Sequence, residues 1–405
     1  MAENNFLTSS LVTRESMRLL EASLQMSLCV NRQFDSRFGV EGAKIGTVVN
    51  ARKPIRVVGR TGQAARPEAV SETSVAVPLT TQIGVDLEIS QADLLLKIDD
   101  FGDRLVKPCV SNMAHRMDAD LCTLLTQVWQ SSGTLGSTPT QLLTYLMSGV
   151  NLTNSFTPDE DERHVIMTAT AQAYLVDTLK GLAQQATAIA DQYIKGTIAR
   201  GAGFQWHYSQ NLPQFTSGPQ GGSPQVNGAN QTGSSIVTNN WTAAAANRVK
   251  QGDRVTFSSV YQVNPQTGAS LGVLQSFVAT QDADSDGAGN LTLYLSPAVI
   301  TSGPSKTVDS SPANGSSITV VGAASTSTIL MPAFHRDFAT LVTADLPLPG
   351  GVDMSGRMSD RQLGVSMTFV RAYDVYSGQL VSRLDLLFGK ALLRGELASV
   401  VFSGQ

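Results

Sequence analysis

The residues best suited to chemistry are three aspartates at alternate positions, Asp282, Asp284 and Asp286, followed by Gly287. This spacing matches the opening of a calcium-binding loop, in which aspartate oxygens coordinate the ion. The twelfth position of such a loop would be Leu293, where a bidentate glutamate is required. Aspartate and glycine are also the residues that a turn between two strands needs. We therefore interpret the segment as a turn and keep the three aspartates as candidate metal ligands.

A catalytic centre has little support in this sequence. The chain contains four histidines, which are His115, His164, His207 and His335. His115 and Cys122 lie seven residues apart on one predicted helix and could share a face as a Cys–His dyad, but packing among the apolar helix residues explains them better. The sequence signatures of serine hydrolases, zinc proteases, P-loop proteins and dinucleotide-binding proteins are absent. We predict that the protein is not an enzyme and has no cofactor.

Composition limits the function classes that remain. The 405 residues carry a formal net charge of −4 and a pI near 5.6, which argues against a dedicated nucleic-acid binder. The N-terminal residues lack the order of a signal peptide, and no apolar run reaches about eighteen residues, so secretion and a membrane span are not expected. The cysteines Cys29, Cys109 and Cys122 form no paired motif, and we expect reduced, buried thiols in a cytoplasmic setting.

The longest pattern in the chain is an alternation of apolar and polar residues over 74–89, which predicts a single extended strand. At about 3.3 Å per residue, this strand would reach roughly 50 Å. Residues 45–58 supply an antiparallel partner. A two-stranded arm is only marginally stable by itself, so we expect a neighbouring subunit to cover the apolar face. The candidate interface residues on that face are Val75, Val77, Leu79, Ile83, Val85, Leu87 and Ile89.

The first limb of this hairpin and its turn are basic. Residues 41–70 contain six basic residues and two acidic ones, a net charge of +4. One interpretation is a solvated hairpin whose edge charges block aggregation. The other is that the cations pair with acidic groups of an adjacent subunit, and both interpretations stay open. The candidates for such pairing are Arg52, Lys53, Arg56, Arg60 and Arg66.

Helical periodicity dominates the rest of the first half. Residues 11–31 are predicted to form an amphipathic helix. The apolar stripe over residues 108–130 predicts a helix about 35 Å long, with Pro108 in its first turn. Residues 99–107 are predicted as a short separate helix, and residues 168–194 as a third helical region.

The second half changes to short strands. Residues 201–247 contain no charged residue, and residues 217–235 are typical of a loop by composition. Four strands are predicted beyond them, over 254–263, 271–280, 291–300 and 317–321. Their turn-rich connections favour a small antiparallel barrel or sandwich, inserted before a final segment. That final segment, 332–405, contains another alternating strand over 363–375 and a last apolar stretch.

Several of these segments resemble one protein family. Residues 99–121, DDFGDRLVKPCVSNMAHRMDADL, resemble the start of the long spine helix in the major capsid proteins of tailed double-stranded DNA bacteriophages. Residues 249–268, VKQGDRVTFSSVYQVNPQTG, are similar to the opening of the extra domain in coat proteins like that of the Salmonella short-tailed phage. Residues 194–213 look like the family's passage from helix to strand, and residues 334–351 and 371–401 resemble its closing strands.

The resemblance implies an α+β fold of the Hong Kong 97 phage capsid type with an inserted small antiparallel β-barrel. The implied parts are an N-terminal arm (1–40), an extended β-hairpin loop (41–90), a peripheral domain with the spine helix (91–165), an axial domain (166–215 and 332–405) and the inserted barrel (216–331). The uncharged stretch departs from the family, which often has a polar loop there that bridges subunits. Charge pairing at that position is therefore not supported.

The function implied by the resemblance is that of a structural major capsid protein. Its copies would form pentamers and hexamers that build an icosahedral shell around packaged double-stranded DNA. A scaffolding protein and a portal are the further partners that the resemblance implies, with no membrane. The same resemblance implies assembly in the host cytoplasm and a final place in the virion.

Two other classes stay open on the residues alone. A tail-tube or decoration protein would share the long loops and the lack of an active site, but it would not combine a long helix, a long arm and an interrupted terminal domain. A secreted β-rich adhesin or glycan-binding protein would fit the aspartate-rich turn. The helical first half and the missing signal peptide argue against it. An enzyme is the least supported class, because no acid, base or nucleophile pattern is present.

Overall fold

Strands predominate over helices in this α+β chain. The computed structural model describes residues 24–32, 48–52, 74–90, 107–158, 162–179, 200–360, 365–375 and 379–404. Within these residues the chain divides into two compact units. The first unit contains residues 24–32, 48–52, 74–90, 107–122, 339–360, 365–375 and 379–393. The second unit contains residues 123–158, 162–179, 200–338 and 394–404.

The helices of the described residues are α1 (Met26–Cys29), α2 (Lys107–Cys122), α3 (Leu142–Asn154) and α4 (Ala169–Leu179). Short 3-10 helices cover Thr123–Gln127, Arg336–Phe338 and Gly395–Leu397. The strands up to residue 249 are β1 (Asn31–Arg32), β2 (Val48–Arg52), β3 (Ser74–Pro78), β4 (Thr81–Ser90), β5 (Ser131–Ser132), β6 (Arg163–Met167), β7 (Arg200–Gly201), β8 (Phe204–Tyr208), β9 (Gln214–Thr216), β10 (Gly222–Val226), β11 (Gly233–Trp241) and β12 (Ala245–Val249). The later strands are β13 (Arg254–Val263), β14 (Ser270–Ala279), β15 (Ala283–Ser285), β16 (Leu291–Val299), β17 (Ile318–Val320), β18 (Ser327–His335), β19 (Ala339–Ala344), β20 (Met354–Asp360), β21 (Val365–Asp374), β22 (Gln379–Leu392) and β23 (Ala398–Ser403).

A six-stranded sheet organises the first unit. Its strands follow the order β1–β19–β22–β21–β20, and β4 also pairs with β22. β4 and β22 run antiparallel, from Ser90 opposite Gln379 to Thr81 opposite Phe388. β2 and β3 form a separate antiparallel pair in which Arg52 lies opposite Ser74. The predicted antiparallel hairpin is confirmed over these described strands.

The long strand predicted over 74–89 is divided into β3 and β4. Leu79 and Thr80 lie between the two strands, directly after Pro78. Because proline has no N–H to donate, a strand often ends or bends at it. β4 then pairs with β22 of its own chain rather than extending as part of a two-stranded arm. The prediction of one unbroken strand of roughly 50 Å is therefore wrong.

α2 is shorter than the predicted spine helix. Pro108 lies in its first turn, as predicted, but the α-helix ends at Cys122 and continues as a single 3-10 segment. Sixteen residues give an α-helix of about 24 Å rather than 35 Å. The guanidinium of Arg254 donates a hydrogen bond to the carbonyl of Leu125, so this carbonyl is satisfied outside an α-helical ladder.

Other predicted helices are only partly described. The helix predicted over 11–31 is wrong at its C-terminal end, because Asn31 and Arg32 form β1 in parallel with β19. α1 is held instead by Asp118 of α2, whose carboxylate accepts the backbone N–H of Ser27 at 3.0 Å. α4 confirms the start of the third helical region. Its remainder, the residues before 24 and most of the short helix at 99–107 lie outside the described residues.

A seven-stranded sheet and two helices form the body of the second unit. The strand order is β5–β23–β18–β6–β8–β7, and β9 also pairs with β18. α3 and α4 contribute Tyr145, Leu152 and Leu175 to a core shared with the strands. The indole of Trp206 meets the ring of Tyr145 edge-on, with the ring centres 5.2 Å apart. Among the described residues, no helix has the length and apolar content that a membrane crossing requires.

The inserted segment folds as a nearly closed barrel. Its strand order is β10–β11–β16–β14–β13–β17, and each of the four strands predicted from the sequence matches one of these within one residue at either end. The two edges meet, because the N–H of Val226 donates to the carbonyl of Ser316 at 3.0 Å and the N–H of Gly315 donates to the carbonyl of Val226 at 2.9 Å. Phe257 and Phe277 pack edge-on in its core, and the nearly closed sheet supports the predicted barrel in part.

Residues 217–235 are not the loop that their composition predicts. They contain β10 and the start of β11, which pair antiparallel across the barrel sheet. Backbone pairing does not depend on side-chain polarity, so serine, asparagine and glutamine conceal the strands from a composition argument. Val226 of β10 and the next apolar residue along the chain, Ile236 of β11, are fully buried.

Candidate subunit interface

The alternating row divides at the junction between β3 and β4, and its first part is internal. Val77 is 0% exposed and Leu79 is 7% exposed. Both side chains pack with Val342 of β19 and with Ala391 and Leu393 at the end of β22. The expectation that a neighbouring subunit covers these two residues is therefore wrong, because strands of the same unit already do so.

β4 carries the part of the row that stays partly open. Ile83, Val85 and Leu87 are half-buried, as is Val75 on β3. The alternate residues on the other face of β4 are exposed, and these are Gln82, Asp86 and Glu88. The side chain of Ile89 lies outside the described residues. The four half-buried side chains keep apolar area that another surface can cover, and they remain candidates for a subunit contact.

An ion pair and a close backbone approach accompany the pairing of β4 with β22. The Nε of Arg383 lies 3.7 Å from Oδ1 of Asp86 across the two strands, and Arg383 also pairs with Asp385 on its own strand. The hydrogen bond that Arg383 donates to Asp385 raises the pKa of the Arg383 guanidinium above its ordinary value. A methyl group at Gly84 would lie 2.8 Å from the carbonyl oxygen of Leu384, so the strands approach this closely because residue 84 is glycine.

The basic interface candidates cannot be placed from the described side chains. Arg52 ends β2 with its backbone opposite Ser74, but its side chain lies outside the described residues. The other four candidates lie wholly outside them, and these are Lys53, Arg56, Arg60 and Arg66. Their pairing with acidic groups of an adjacent subunit stays a prediction.

The three aspartates lie on the connection between β14 and β16, where backbone groups engage them. Oδ1 of Asp282 accepts a backbone N–H at 2.7 Å, and Oδ1 of Asp284 accepts the N–H of Asn247 at 2.6 Å. Oδ1 of Asp286 accepts the N–H of Asn290 at 2.7 Å, and its Oδ2 accepts the side-chain amide of Asn290 at 2.9 Å. The hydrogen bonds from Asn290 hold the pKa of Asp286 below its ordinary value. The contacts of Asp286 are those of a turn and support that interpretation for this residue. Asp284 lies instead in β15, which pairs with β12, so the turn prediction is wrong at this position.

Two of the four histidines form a pair in the second unit. Nδ1 of His164 on β6 lies 3.2 Å from Nε2 of His207 on β8, so one ring donates a hydrogen bond to the other. Burial, and then the neighbouring His207, lower the pKa of His164 from 6.5 to about 4. Burial also lowers the pKa of His207 and of His335, whose Nδ1 accepts the backbone N–H of Asp337 at 3.2 Å. The pair is therefore neutral at pH 7 and connects two strands.

His115 and Cys122 do not form a dyad. His115 lies on the exposed side of α2, whereas Cys122 is buried with its Sγ 3.1 Å from Sδ of Met26. Burial raises the pKa of the Cys122 thiol far above its ordinary value, so the thiol stays protonated and inert. Cys29 and Cys109 are buried as well and no disulfide joins any of the three, which confirms the prediction of buried thiols.

Arg254 is a buried arginine that joins the barrel strand β13 to other parts of the second unit. No sequence pattern predicts this role. Nη2 of Arg254 on β13 donates to the carbonyl of Leu125 at 3.3 Å, and Nη1 donates to the carbonyl of Gly252 at 3.1 Å. Its guanidinium lies 5.1 Å from the ring centre of Phe402 on β23. Burial lowers the pKa of Arg254 to about 10. In the sequence, Arg254 follows Asp253, but an acidic residue beside a basic one is too common to indicate a buried arginine.

Solved structures of phage and particle capsids are similar to this chain. The structure of Mycobacterium phage Che8 has a TM-score of 0.46 and 12% identity, and the match covers 93% of this chain and 90% of that one. The capsid of Ralstonia phage GP4 has a TM-score of 0.48 and 8% identity over 100% of this chain and 93% of that one. The capsid of an empty GTA particle has a TM-score of 0.43 and 9% identity over 95% and 90%. No curated protein sequence matches the chain.

Among the described residues, β4 carries a half-buried apolar row, and the candidate dyad of His115 and Cys122 does not form. Residues 61–404 match the family described as P22 coat protein, gene protein 5. The chain belongs to the P22 coat protein family. It is a major capsid protein of a bacteriophage, and its copies form the icosahedral shell of the virion. The predicted resemblance and function are confirmed, and the tail, decoration, adhesin and enzyme alternatives are excluded.

Proposed function

We propose that copies of this chain build the shell through closed rings of five and six subunits. Such rings arise when one surface of a subunit contacts a different surface of the next and the rotation closes. The observation that carries the proposal is the half-buried row of Ile83, Val85 and Leu87 on β4. A neighbour in the ring would complete the burial of this row, since β22 and β19 already cover its continuation on β3.

Each such contact is modest by itself. Covering the exposed part of three aliphatic side chains contributes at most about 1 kcal/mol each, or roughly 3 kcal/mol at most before ordering costs. A contact of that size alone corresponds to an affinity weaker than about 1 mM. Every subunit of a closed ring makes the contact twice, and the ring holds all its contacts at high effective concentration. Weak individual contacts can therefore support a strong shell.

Family membership also supports a Hong Kong 97-type arrangement with the predicted domain boundaries. In this proposal, residues 1–40 are an arm, 41–90 an extended loop and 91–165 a peripheral domain. Residues 166–215 and 332–405 form an axial domain, which the barrel at 216–331 interrupts. The nearly closed barrel sheet, whose edges meet at Val226, supports the last of these assignments.

The further partners are a scaffolding protein, a portal and double-stranded DNA, with assembly in the host cytoplasm. The net charge of −4 supports enclosure of DNA over sequence-specific reading, because a DNA reader carries a basic surface. The basic limb with Arg56, Arg60 and Arg66 is then available to acidic groups of an adjacent subunit.

The test is expression of the chain alone and together with the other structural gene products of its phage. Particles are separated on a sucrose gradient and imaged by electron microscopy. Closed shells with five-fold and six-fold clusters of this chain are the expected result. Open tubes, or soluble monomers under both conditions, would contradict ring assembly.

A further inference from the structure

α3 is apolar on both of its faces. Its inner face contributes Tyr145 and Leu152 to the core of the second unit, where both are fully buried. Its outer face presents four large apolar side chains at helical spacing, and their exposed fractions are 59% for Leu143, 39% for Leu146, 48% for Met147 and 46% for Val150. A helix that is hydrophobic all round is normally buried all round. Within the described residues, only one side of α3 meets that expectation.

The segment around α3 is also free of charge. Between Asp120 and Asp159 the sequence contains no aspartate, glutamate, lysine or arginine. A surface that faces water ordinarily carries such residues, and their absence here removes the desolvation cost that a contact would otherwise impose. Neutral surfaces can also approach copies of themselves without repulsion. The composition of this segment therefore suits a surface that another copy covers.

The size of the face points to the kind of partner. A helix of thirteen residues offers a face about 20 Å long and about 10 Å wide, or roughly 200 Å² in projection. A stable pairwise interface buries about 800 Å² on each partner, so this face alone cannot capture a separate protein from solution. It can contribute where other contacts already hold the neighbour in place. A second copy of the same chain in a shell meets that condition.

We infer that the outer face of α3, formed by Leu143, Leu146, Met147 and Val150, is a contact with a second copy of this chain in the shell. The inference rests on the proposed ring assembly and adds to it a surface that lies in the second unit, away in sequence from β4. The sequence shows that residues 142–147 are largely apolar. Only the structure shows that Leu143, Leu146 and Met147 among them are exposed to solvent.

The first test places one charge on this face and one on a matched site. Val150→Glu adds a carboxylate at a position that is 46% exposed, and Val237→Glu adds one at a position on β11 that is 43% exposed. Each variant is expressed with the other structural gene products of the phage. We expect the Val150 variant to lose at least tenfold in the yield of shells, while its soluble form keeps the melting temperature of the wild type. The Val237 variant should assemble normally. Shells from the Val150 variant at the wild-type yield would overturn the inference.

The second test identifies what covers the face. Met147→Cys introduces an accessible thiol, because the three native cysteines are buried. The variant is labelled with a benzophenone maleimide, assembled and irradiated. A cross-linked product of twice the chain mass that contains only this chain is the expected result. A product that contains a different protein, or a cross-link within one chain with no gain in mass, would contradict the inference.

The two proposals fail in distinguishable ways. If wild-type chains give only monomers or tubes, ring assembly itself is wrong. If the wild type forms shells and the Val150 variant does so equally, ring assembly stands and the role of α3 is wrong. The wild-type control therefore accompanies both experiments.

Discussion

β3 and β4 carry the two parts of a single alternating row, yet they lie in different surroundings. Val77 and Leu79 are enclosed by β19 and β22, whereas Ile83, Val85 and Leu87 are only half-buried. A period-two pattern identifies the face that is withdrawn from water, but it does not say which surface covers that face. In this chain the first part stabilises the monomer, and the second part is the one that assembly can use.

The largest effect should come from a charge in the enclosed part. Val77→Asp would bury a carboxylate without a partner, and we expect a loss of about 4 kcal/mol or more in the free energy of unfolding. Insoluble expression, or loss of the cooperative thermal transition in circular dichroism, would show it. Ala76→Asp is the matched control, because Ala76 is the exposed neighbour on the opposite face of β3. A Val77 variant that melts like this control would show that the side chain is not enclosed in the monomer.

The same contrast between enclosed and open positions separates two arginines. Arg254→Ala removes two charge-assisted hydrogen bonds and the contact with Phe402, so we expect a loss of about 3 kcal/mol in a urea denaturation curve. Arg336→Ala removes an ion pair with Glu162 in which both side chains are exposed, and it should cost less than about 1 kcal/mol. Equal midpoints for the two variants would contradict the role of Arg254 in holding the barrel.

A charge in the open part should affect assembly much more than folding. Val85→Asp should cost the monomer about 1 kcal/mol, because the side chain can still reach water. We expect it to abolish shells on a sucrose gradient, since a neighbour would have to bury the charge. Val85→Thr keeps the shape without the charge and should still assemble. Normal shell formation by the Val85→Asp variant would show that β4 is not part of the subunit interface.

The smallest expected effect is a loss of thermal stability at acid pH. The pKa of His164 is lowered in the folded state from 6.5 to about 4, chiefly by burial, so the unfolded chain binds the proton more tightly. The stability that depends on this group is complete above about pH 6.5 and declines as the pH falls toward 4. We expect the melting temperature to fall by about 3 °C over this window.

The replacement His164→Asn should make this acid dependence shallower. His115→Asn is the matched control for replacing a histidine, because His115 is exposed on α2. An unaltered acid limb in the His164 variant would assign the pH dependence to other groups. His207, His335 and Arg336 are the charged or titratable neighbours that already depress the pKa of His164.

Much of the fold could be predicted from patterns among residues that are close together in the sequence. The barrel strands at 254–263 and 291–299 alternate, and each is bounded by turn residues, so their limits could be predicted closely. The family resemblance likewise rests on contiguous segments. The 3-10 segment that follows α2 could not be predicted, because the carbonyl of its Leu125 accepts a hydrogen bond from Arg254, more than a hundred residues away.

The candidate site was predictable in part for the same reason. The sequence identifies the members of the β3–β4 row, but their covering depends on strands that return after residue 339. α3 could not be predicted, because residues 141–150, QLLTYLMSGV, lack the polar face that indicates an amphipathic helix. β10 and the start of β11 could not be predicted, because their side chains are mostly polar and their pairing is made by the backbone.

A cryo-electron microscopy reconstruction of the assembled shell at side-chain resolution would show directly what covers the apolar row on β4. We expect Ile83, Val85 and Leu87 each to lie within about 4.5 Å of apolar atoms of a neighbouring copy. Val77 and Leu79 should contact atoms of their own chain alone. A shell in which the β4 row faces solvent, with no neighbouring copy within that distance, would contradict the claim.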